Sequence, residues 1–321
     1  MSITITGGIT FTGGGVTLAS GGGGGGGTTK AIFGYGYTPT DLSITNLVSN
    51  TGVVAADTTG VGTARRELAA AGYGTDKAIF GYGNPGPVSI TNLVSNTGVV
   101  ATDTAGVGTA RYGLSAAGYG SDKAVFGYGL NGAGTTLSMT NLVSNTGVVA
   151  TDTAGVGTSR WRLAAAGYGT DKAIFGYGQL GADGSYANVS ITNLVSNTGV
   201  VATDTTGVGS ARNSLAAAGY GTDKAIFGYG QNNDYPYLQS MTNLVSNTGV
   251  VATNTTGVGT ARKALTAAGY GTDKAIFGYG NDNTTNLSMT NLVSNTGVVA
   301  SDTTGVGTAR QGLAAAGYST T

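Results

Sequence analysis

Neither cysteine nor histidine occurs among the 321 residues, and charge is scarce: Asp, Glu, Lys and Arg make up 9% of the chain, with 15 acids against 15 bases. Without cysteine there is no disulfide framework, so stability has to come from the sheet and the redox compartment is left undetermined. Without histidine or cysteine the usual general base, the thiol nucleophile and most transition-metal sites are removed. Glu67 is the single glutamate, which thins the acid–base repertoire further. The balanced charge supplies no basic field of the kind nucleic-acid binding needs. No Lys/Arg-led apolar segment opens the chain and no apolar run approaches the length of a membrane span, so neither a signal peptide nor membrane insertion is expected. These absences predict a protein that is not an enzyme and holds no cofactor and no metal.

What the chain has in quantity is glycine, 60 residues of it, and repetition. The stretch Asp76-Lys-Ala-Ile-Phe-Gly-Tyr-Gly83 returns at Asp122, Asp171, Asp223 and Asp273, and a first copy from Lys30 to Gly36 lacks only the leading Asp. A second block, Thr-Asn-Leu-Val-Ser-Asn-Thr-Gly-Val-Val-Ala, starts at Thr45, Thr91, Thr140, Thr192, Thr242 and Thr290. After it come a Thr-rich turn, Gly-Val-Gly-(Thr/Ser)-(Ala/Ser)-Arg, and a run such as Leu68-Ala-Ala-Ala-Gly-Tyr73. Successive lysines at 30, 77, 123, 172, 224 and 274 give periods of 47, 46, 49, 52 and 50 residues. A fixed period in this range marks a solenoid or a propeller.

Inside the unit, four short apolar runs are separated by Gly, Asn and Thr turns, the make-up of a four-stranded propeller blade. The repeats open midway through a unit at Lys30, and the chain stops with Leu313-Ala-Ala-Ala-Gly-Tyr318, the piece the first unit is missing. The simplest account is a C-terminal strand that joins the N-terminal unit and closes a sixth blade, leaving no open sheet edge. The alanine-rich strand is expected innermost, where only small side chains fit, and the Ile-Phe pair between blades. One propeller of about 290 residues plus a leader accounts for the chain and leaves no room for a second catalytic domain.

The order Arg65, Leu68 to Tyr73, Ala78 to Gly83 with Gly-Tyr-Gly in place of a Gly doublet, a variable loop, and Ile90 to Val100 resembles the kelch and galactose-oxidase type of propeller. The resemblance runs from Lys30 to Thr321 and implies an all-β fold, a six-bladed kelch-like β-propeller; it is silent on activity. The chain departs from the family in having Trp161 as its only Trp, where the family carries one late in the repeat, so packing between blades is expected to differ. The Cys and His ligands of galactose oxidase are absent too.

Ahead of the repeats, residues 1–20 contain three short alternating runs, Ile3 to Thr6, Ile9 to Thr12 and Val16 to Leu18, parted by glycines, a pattern that argues strand. So short a segment buries no core alone, so it is expected to act as an anchor or oligomerisation segment, ordered against copies of itself or another protein. Residues 21–29 read as a Gly-rich linker and 30–321 as the propeller. The Ile-Thr-Gly-Gly leader resembles those of bacteriophage tail-fibre and other virion proteins.

Positions that differ between copies are those the fold does not dictate, and they fall in two places. One follows Gly-Tyr-Gly (37–42, 84–88, 130–137, 179–189, 231–239, 281–287); the other is the pair after the repeated Arg (66–67, 112–113, 161–162, 213–214, 263–264, 311–312). In an up-and-down blade both emerge on one face, the pattern of a binding surface on a rigid scaffold. The predicted ligand-binding residues there are the aromatics Tyr37, Tyr112, Trp161, Tyr186, Tyr235 and Tyr237, with the polar partners Asn232, Asn233, Asp183, Asp234, Asn281 and Asp282. Asn84 and Asn131 offer the same chemistry. Flat faces with Asn/Asp hydrogen bonds suit a sugar ring, and Tyr-rich loops suit protein epitopes.

Other signals weigh less. Arg65, Arg111, Arg160, Arg212, Arg262 and Arg310, with the repeated acids beginning at Asp57 and Asp76, recur once per unit and read as ion pairs and turn hydrogen bonds, not as active sites. Asn254 replaces the acid in one copy, so a hydrogen-bonding cap matters there more than charge. Gly81 to Gly86 matches a dinucleotide Gly-x-Gly-x-x-Gly string, but no helix follows to hold a pyrophosphate. Asp183 and Asp234 on neighbouring loops are the one pair of carboxylates that suggests glycoside hydrolysis. The expectation is a non-enzymatic recognition module of a phage particle, a tail or head fibre, located on the virion or outside the cell. It would bind a host cell-surface glycan or surface protein and contact other virion proteins through residues 1–20, as a homo-oligomer. The alternatives are a purely structural or decoration protein of the particle and a free lectin-like propeller.

Overall fold

The computed structural model of the protein describes residues 29–181 and 186–318; the expected anchor and nearly all of the linker lie outside them. The described residues are all-β without helix, arranged as six antiparallel sheets. Each has an inner, a middle and an outer strand in that order. The second sheet is typical: Ala69–Tyr73, Lys77–Gly83 and Val88–Val94. The third adds a short strand, Arg111–Tyr112, which pairs with the far end of the middle strand, ahead of the inner one. In the first sheet the inner strand is Ala314–Tyr318, which pairs with Lys30–Tyr37 in register Lys30 to Tyr318. The two ends of the repeat region therefore share one sheet.

The register explains the spacing of the motif. Ala70 lies opposite Phe80 and Ala71 opposite Ile79, so small residues of the inner strand face large ones of the middle strand. A methyl group on Gly81 would lie 2.8 Å from Cζ of Phe126 in the next sheet, so the first glycine of Gly-Tyr-Gly makes room for a neighbouring ring. The tyrosine that follows is left-handed in all six sheets, φ +62° to +66°, and the register shifts there by a bulge in the second, third, first and sixth sheets. Left-handed backbone costs a non-glycine residue about 1–2 kcal/mol. The bulge turns the ring into the space between sheets, where it is fully buried and its hydroxyl donates to a valine carbonyl, as Tyr82 does to Val107 at 3.1 Å.

Alternation along the middle strand sends Ala and Phe to one neighbouring sheet and Ile to the other, and the left-handed bulge brings Tyr round to the side of Ile. Ile32 and Tyr35 pack with Ala78 and Phe80, and so on through six clusters, the last joining the sixth sheet to Ala31 and Phe33 of the first. Each interval holds one Tyr–Phe edge contact, with ring centroids 5.1–5.3 Å apart. These pairs fill the space between the sheets.

The Gly-Val-Val-Ala run, expected as a full strand, pairs with the outer strand only at two isolated bridges per sheet, such as Thr45 with Thr58 and Val48 with Val54. Between the bridges the outer strand advances three residues and its partner four, so one residue bulges and the ladder breaks. At the other side of each sheet the starts of all six inner strands, among them Leu68, Leu114 and Leu163, line a single cavity of about 110 Å³.

Candidate functional site

The variable rim is held in place by the repeated arginine. Arg160 is typical and wholly buried: its Nε donates to the Tyr177 carbonyl at 2.8 Å, Nη1 to the Thr158 carbonyl at 3.0 Å and Nη2 to Asn193 Oδ1 at 2.7 Å. Its guanidinium also lies 4.4 Å over the ring of Tyr128 in the preceding sheet. Asn193 passes the interaction on, donating to Asp204 at 2.9 Å, and Asp204 accepts from the Thr158 hydroxyl at 2.6 Å. The expected ion pairs are therefore indirect: where Arg and Asp approach each other, as Arg65 and Asp103 do, they stand 3.8–3.9 Å apart with the asparagine between. Burial pushes the carboxyls of Asp57, Asp103, Asp152, Asp204 and Asp302 up, but the Thr and Asn hydrogen bonds outweigh it and hold them below the usual range. The other repeated acids make adjacent surface pairs such as Lys77 to Asp76 at 2.7 Å, which contribute little.

The fifth sheet varies this network in a paired way. Asn254 replaces the aspartate and Ser210 the threonine; the amide of Asn254 donates to the Ser210 hydroxyl at 2.8 Å, reversing the direction found elsewhere. In the third sheet, where the extra strand forms, Arg111 Nε is buried without a hydrogen-bond partner.

Immediately after each arginine the chain pairs with the residue that follows Gly-Tyr-Gly. Arg66 and Asn84 exchange backbone hydrogen bonds at 2.8 and 2.9 Å, and Trp161 with Gln179, Asn213 with Gln231, Lys263 with Asn281 and Gln311 with Tyr37 do the same. In the third sheet Arg111–Tyr112 pairs with Leu130 and Asn131. The two variable stretches are thus hydrogen-bonded neighbours in every sheet. The second residues of the pairs, Glu67, Gly113, Arg162, Ser214, Ala264 and Gly312, are all left-handed, φ +51° to +63°. Each donates its N–H to the carbonyl of the one before it, at 2.6–2.8 Å, and Glu67 donates to Gly312, so the hydrogen bonds form a cycle of six. These residues and the leucines after them line a second cavity of about 80 Å³.

Of the predicted ligand-binding residues, the exposed ones cluster on the fourth and fifth sheets. Tyr235 is 87% exposed and stands edge-on to Tyr237, with centroids 6.1 Å apart. Tyr186 is 56% exposed. Asn188 joins this loop to its neighbours: it donates to Asn233 Oδ1 at 3.1 Å and accepts from Asn213 at 2.7 Å. Asp234 is exposed beside them, while Asp183 lies outside the described residues. A second group adjoins the six-membered cycle: half-buried Tyr112 meets Trp161 edge-on at 6.0 Å, and the Arg162 guanidinium lies 4.0 Å over the indole. Tyr37 stands apart from both groups, under the Arg66 guanidinium at 4.5 Å.

The remaining polar positions are engaged in their own turns. Asp282 Oδ1 accepts from the N–H groups of Thr284 and Thr285 at 2.9 and 2.7 Å and from the Thr284 hydroxyl, which holds its carboxyl at about 2. Asn281 caps Asn283, Asn131 caps Ala133 and Thr135, and Asn232, with its amide nitrogen turned inward, donates to the Tyr237 and Asp234 carbonyls. Short polar side chains bond the nearest backbone groups of a turn, so Asn281 and Asp282, as acceptors, and Asn232, as a donor, shape their own loops.

The charged residues at the cycle carry no separate signal in the repeat pattern. Arg162 donates to Glu67 Oε1 at 3.0 and 3.3 Å across 95 positions, and Arg66 pairs with Asp41 at 2.8 Å. Burial, then the Glu67 charge, push the Tyr112 phenol up, and the Arg162 charge pulls it back. The available signal was that each of these residues belongs to a variable pair. Among the described residues no three acids stand close enough together to hold a metal ion. Compared with models of protein families and with the curated proteins, the sequence matches none.

Proposed function

We propose that the six sheets are the blades of one closed six-bladed β-propeller and that the chain is a non-enzymatic recognition module of a phage particle. In this reading the variable rim binds a host surface glycan. Three features support the ring: the shared first sheet, the packing of the sixth sheet on the first, and the cycle of six backbone hydrogen bonds. The observation that carries the function is the pairing of the two variable stretches in every sheet, which brings the variable pairs and the variable loops together while the six arginines beside them are invariant. Exposed Tyr186, Tyr235 and Tyr237, with amides between them, give a stacking surface with hydrogen-bond partners, which a sugar ring requires. The phage setting rests on the leader and the low-charge composition alone.

The test is binding of the full chain, displayed as a multimer, to whole bacterial cells and a panel of surface polysaccharides. A variant carrying Tyr186→Ala, Tyr235→Ala and Tyr237→Ala is measured beside it. Selective binding that falls at least tenfold in the variant supports the reading. Equal binding by both proteins, or none by either, overturns it.

A structural role has one observation in its favour. The turns at the far ends of the outer strands each expose a valine, Val53, Val99, Val148, Val200, Val250 and Val298, at 65–66%. Six identical apolar points suit an assembly contact. Particles carrying Val→Ser at all six would then lose the protein while its glycan binding persists.

A further inference from the structure

The first sheet is assembled from the two ends of the repeat region, and no turn ties its inner strand to its middle one. In the second sheet Tyr73 lies opposite Lys77, and the residues between them, 74–76, join the two strands directly. In the first sheet Tyr318 lies opposite Lys30 and Ala316 opposite Ile32 in the same register, but the whole run of repeats separates them.

The segment that closes this sheet brings further contacts with it. The Thr308 hydroxyl donates to Asp57 at 2.6 Å, and Arg310 donates to the Tyr35 carbonyl and to Asn46 Oδ1, both at 2.7 Å. Gln311 exchanges backbone hydrogen bonds with Tyr37. Each of these repeats a contact made elsewhere: Thr158 on Asp204, Arg160 on Tyr177 and Asn193, Trp161 with Gln179. The segment is therefore matched to a sheet of this repeat and not to one sheet in particular. Ahead of it, Thr304 to Gly307 is exposed and includes Gly305 and Gly307, a link able to redirect the chain. With residues 308–318 withdrawn, Lys30–Tyr37 becomes an eight-residue edge strand, apolar on both faces, with a row of unpaired backbone groups. Such an edge is a template for another strand.

We propose that this joint also forms between two copies of the chain: residues 308–318 of one copy complete the first sheet of a second, and the second copy returns the exchange. Both partners carry the same residues, so every contact named above is remade in the exchanged pair. The closed single chain and the reciprocal dimer then differ in the path of residues 304–307 and in their dependence on concentration. The partner is a second copy held by a strand, and each half of the dimer keeps its own variable rim. The inference rests on the shared first sheet and is independent of the glycan reading.

The chain has no cysteine, so introduced ones report on the joint alone. Tyr37 and Gln311 are directly paired, within reach of a disulfide. Five other pairs occupy the equivalent positions, from Arg66 with Asn84 to Lys263 with Asn281, so the fold accepts replacement there. Full-length Tyr37→Cys and Gln311→Cys chains are unfolded, refolded together and oxidised with glutathione disulfide, and the links are mapped by mass spectrometry. The double variant, Tyr37→Cys with Gln311→Cys, is refolded alone at high dilution. The expected result is a link between position 37 of one chain and position 311 of another, rising with protein concentration and about tenfold more abundant than links between two positions 37, which no pairing favours. The diluted double variant should link internally. An internal link there, with no 37-to-311 link in the mixture at any concentration, overturns the exchange and leaves the shared sheet standing. Absence of a 37-to-311 link from both overturns the shared sheet, and the exchange and the ring fall with it.

Discussion

The arginine layer between the sheets and the rim above it use the same residue types, Arg, Asn, Asp and Tyr, to opposite ends. In the layer neighbours at fixed spacing satisfy the polar groups, Arg160 bonding Tyr177, Asn193 and Thr158 and Asn193 bonding Asp204, with Arg111 Nε the exception. Removing one member leaves buried groups unpaired, so the layer tolerates change only in matched pairs, as Ser210 with Asn254 illustrates. On the rim the same side chains either cap their own turns, as Asp282 does, or stand exposed, as Asp234 does. What differs is not chemistry but how many partners the surrounding fold supplies.

The comparison is sharpest at the arginines. Arg160→Ala should cost about 3–5 kcal/mol, the penalty for breaking a buried charged network, measured by denaturant unfolding. Arg111→Ala should cost less, because Arg111 Nε already lacks a hydrogen-bond partner. Equal losses at the two positions would mean that the hydrogen bonds of the layer do not set its stability.

Acid provides a graded test of the same layer. Five aspartates have folded-state values held below the unfolded carboxylate value of about 3.9. A depressed carboxylate contributes stability that is present above the unfolded value and is lost as pH falls through the folded one. The melting temperature should therefore be flat above about pH 5 and fall steeply below about pH 4. Asp204→Asn, with Thr158→Ser to copy the fifth sheet, should flatten that fall; an unchanged acid limb would show that the layer is not what titrates.

The smallest effect is expected on the rim. Tyr235→Ala with Tyr237→Ala should change stability by less than about 0.5 kcal/mol, because exposed residues away from caps and cores contribute little. A larger loss in unfolding experiments would make these rings part of the scaffold and weaken the case for a binding surface.

Much of the scaffold was legible because it repeats. Period, strand order, the small inner strand and the structural role of the arginine all follow from residues that recur six times in one setting. The rim was legible as a location but not as a set of groups. Asn232, Asn281 and Asp282 read as recognition residues, and each also bonds its own turn: Asn281 and Asp282 accept from turn N–H groups, and Asn232 donates to turn carbonyls. The Arg162 to Glu67 contact spans 95 positions, a pairing no local pattern reveals. The broken fourth strand was hidden for a similar reason: the extra residue between bridges shows only when both strands are counted together.

Every sheet leans on the one before it. The arginine of each stacks on the preceding tyrosine, and in five of the six the aspartate is capped by a threonine from the incoming connection, with Asn254 and Ser210 in those places in the fifth. The offset is the same at every step, so adding or deleting one whole repeat by unequal recombination would orphan no donor and no acceptor. In the proposed ring every interval between sheets would share the resulting change of angle, since the sixth sheet packs on the first as the first packs on the second.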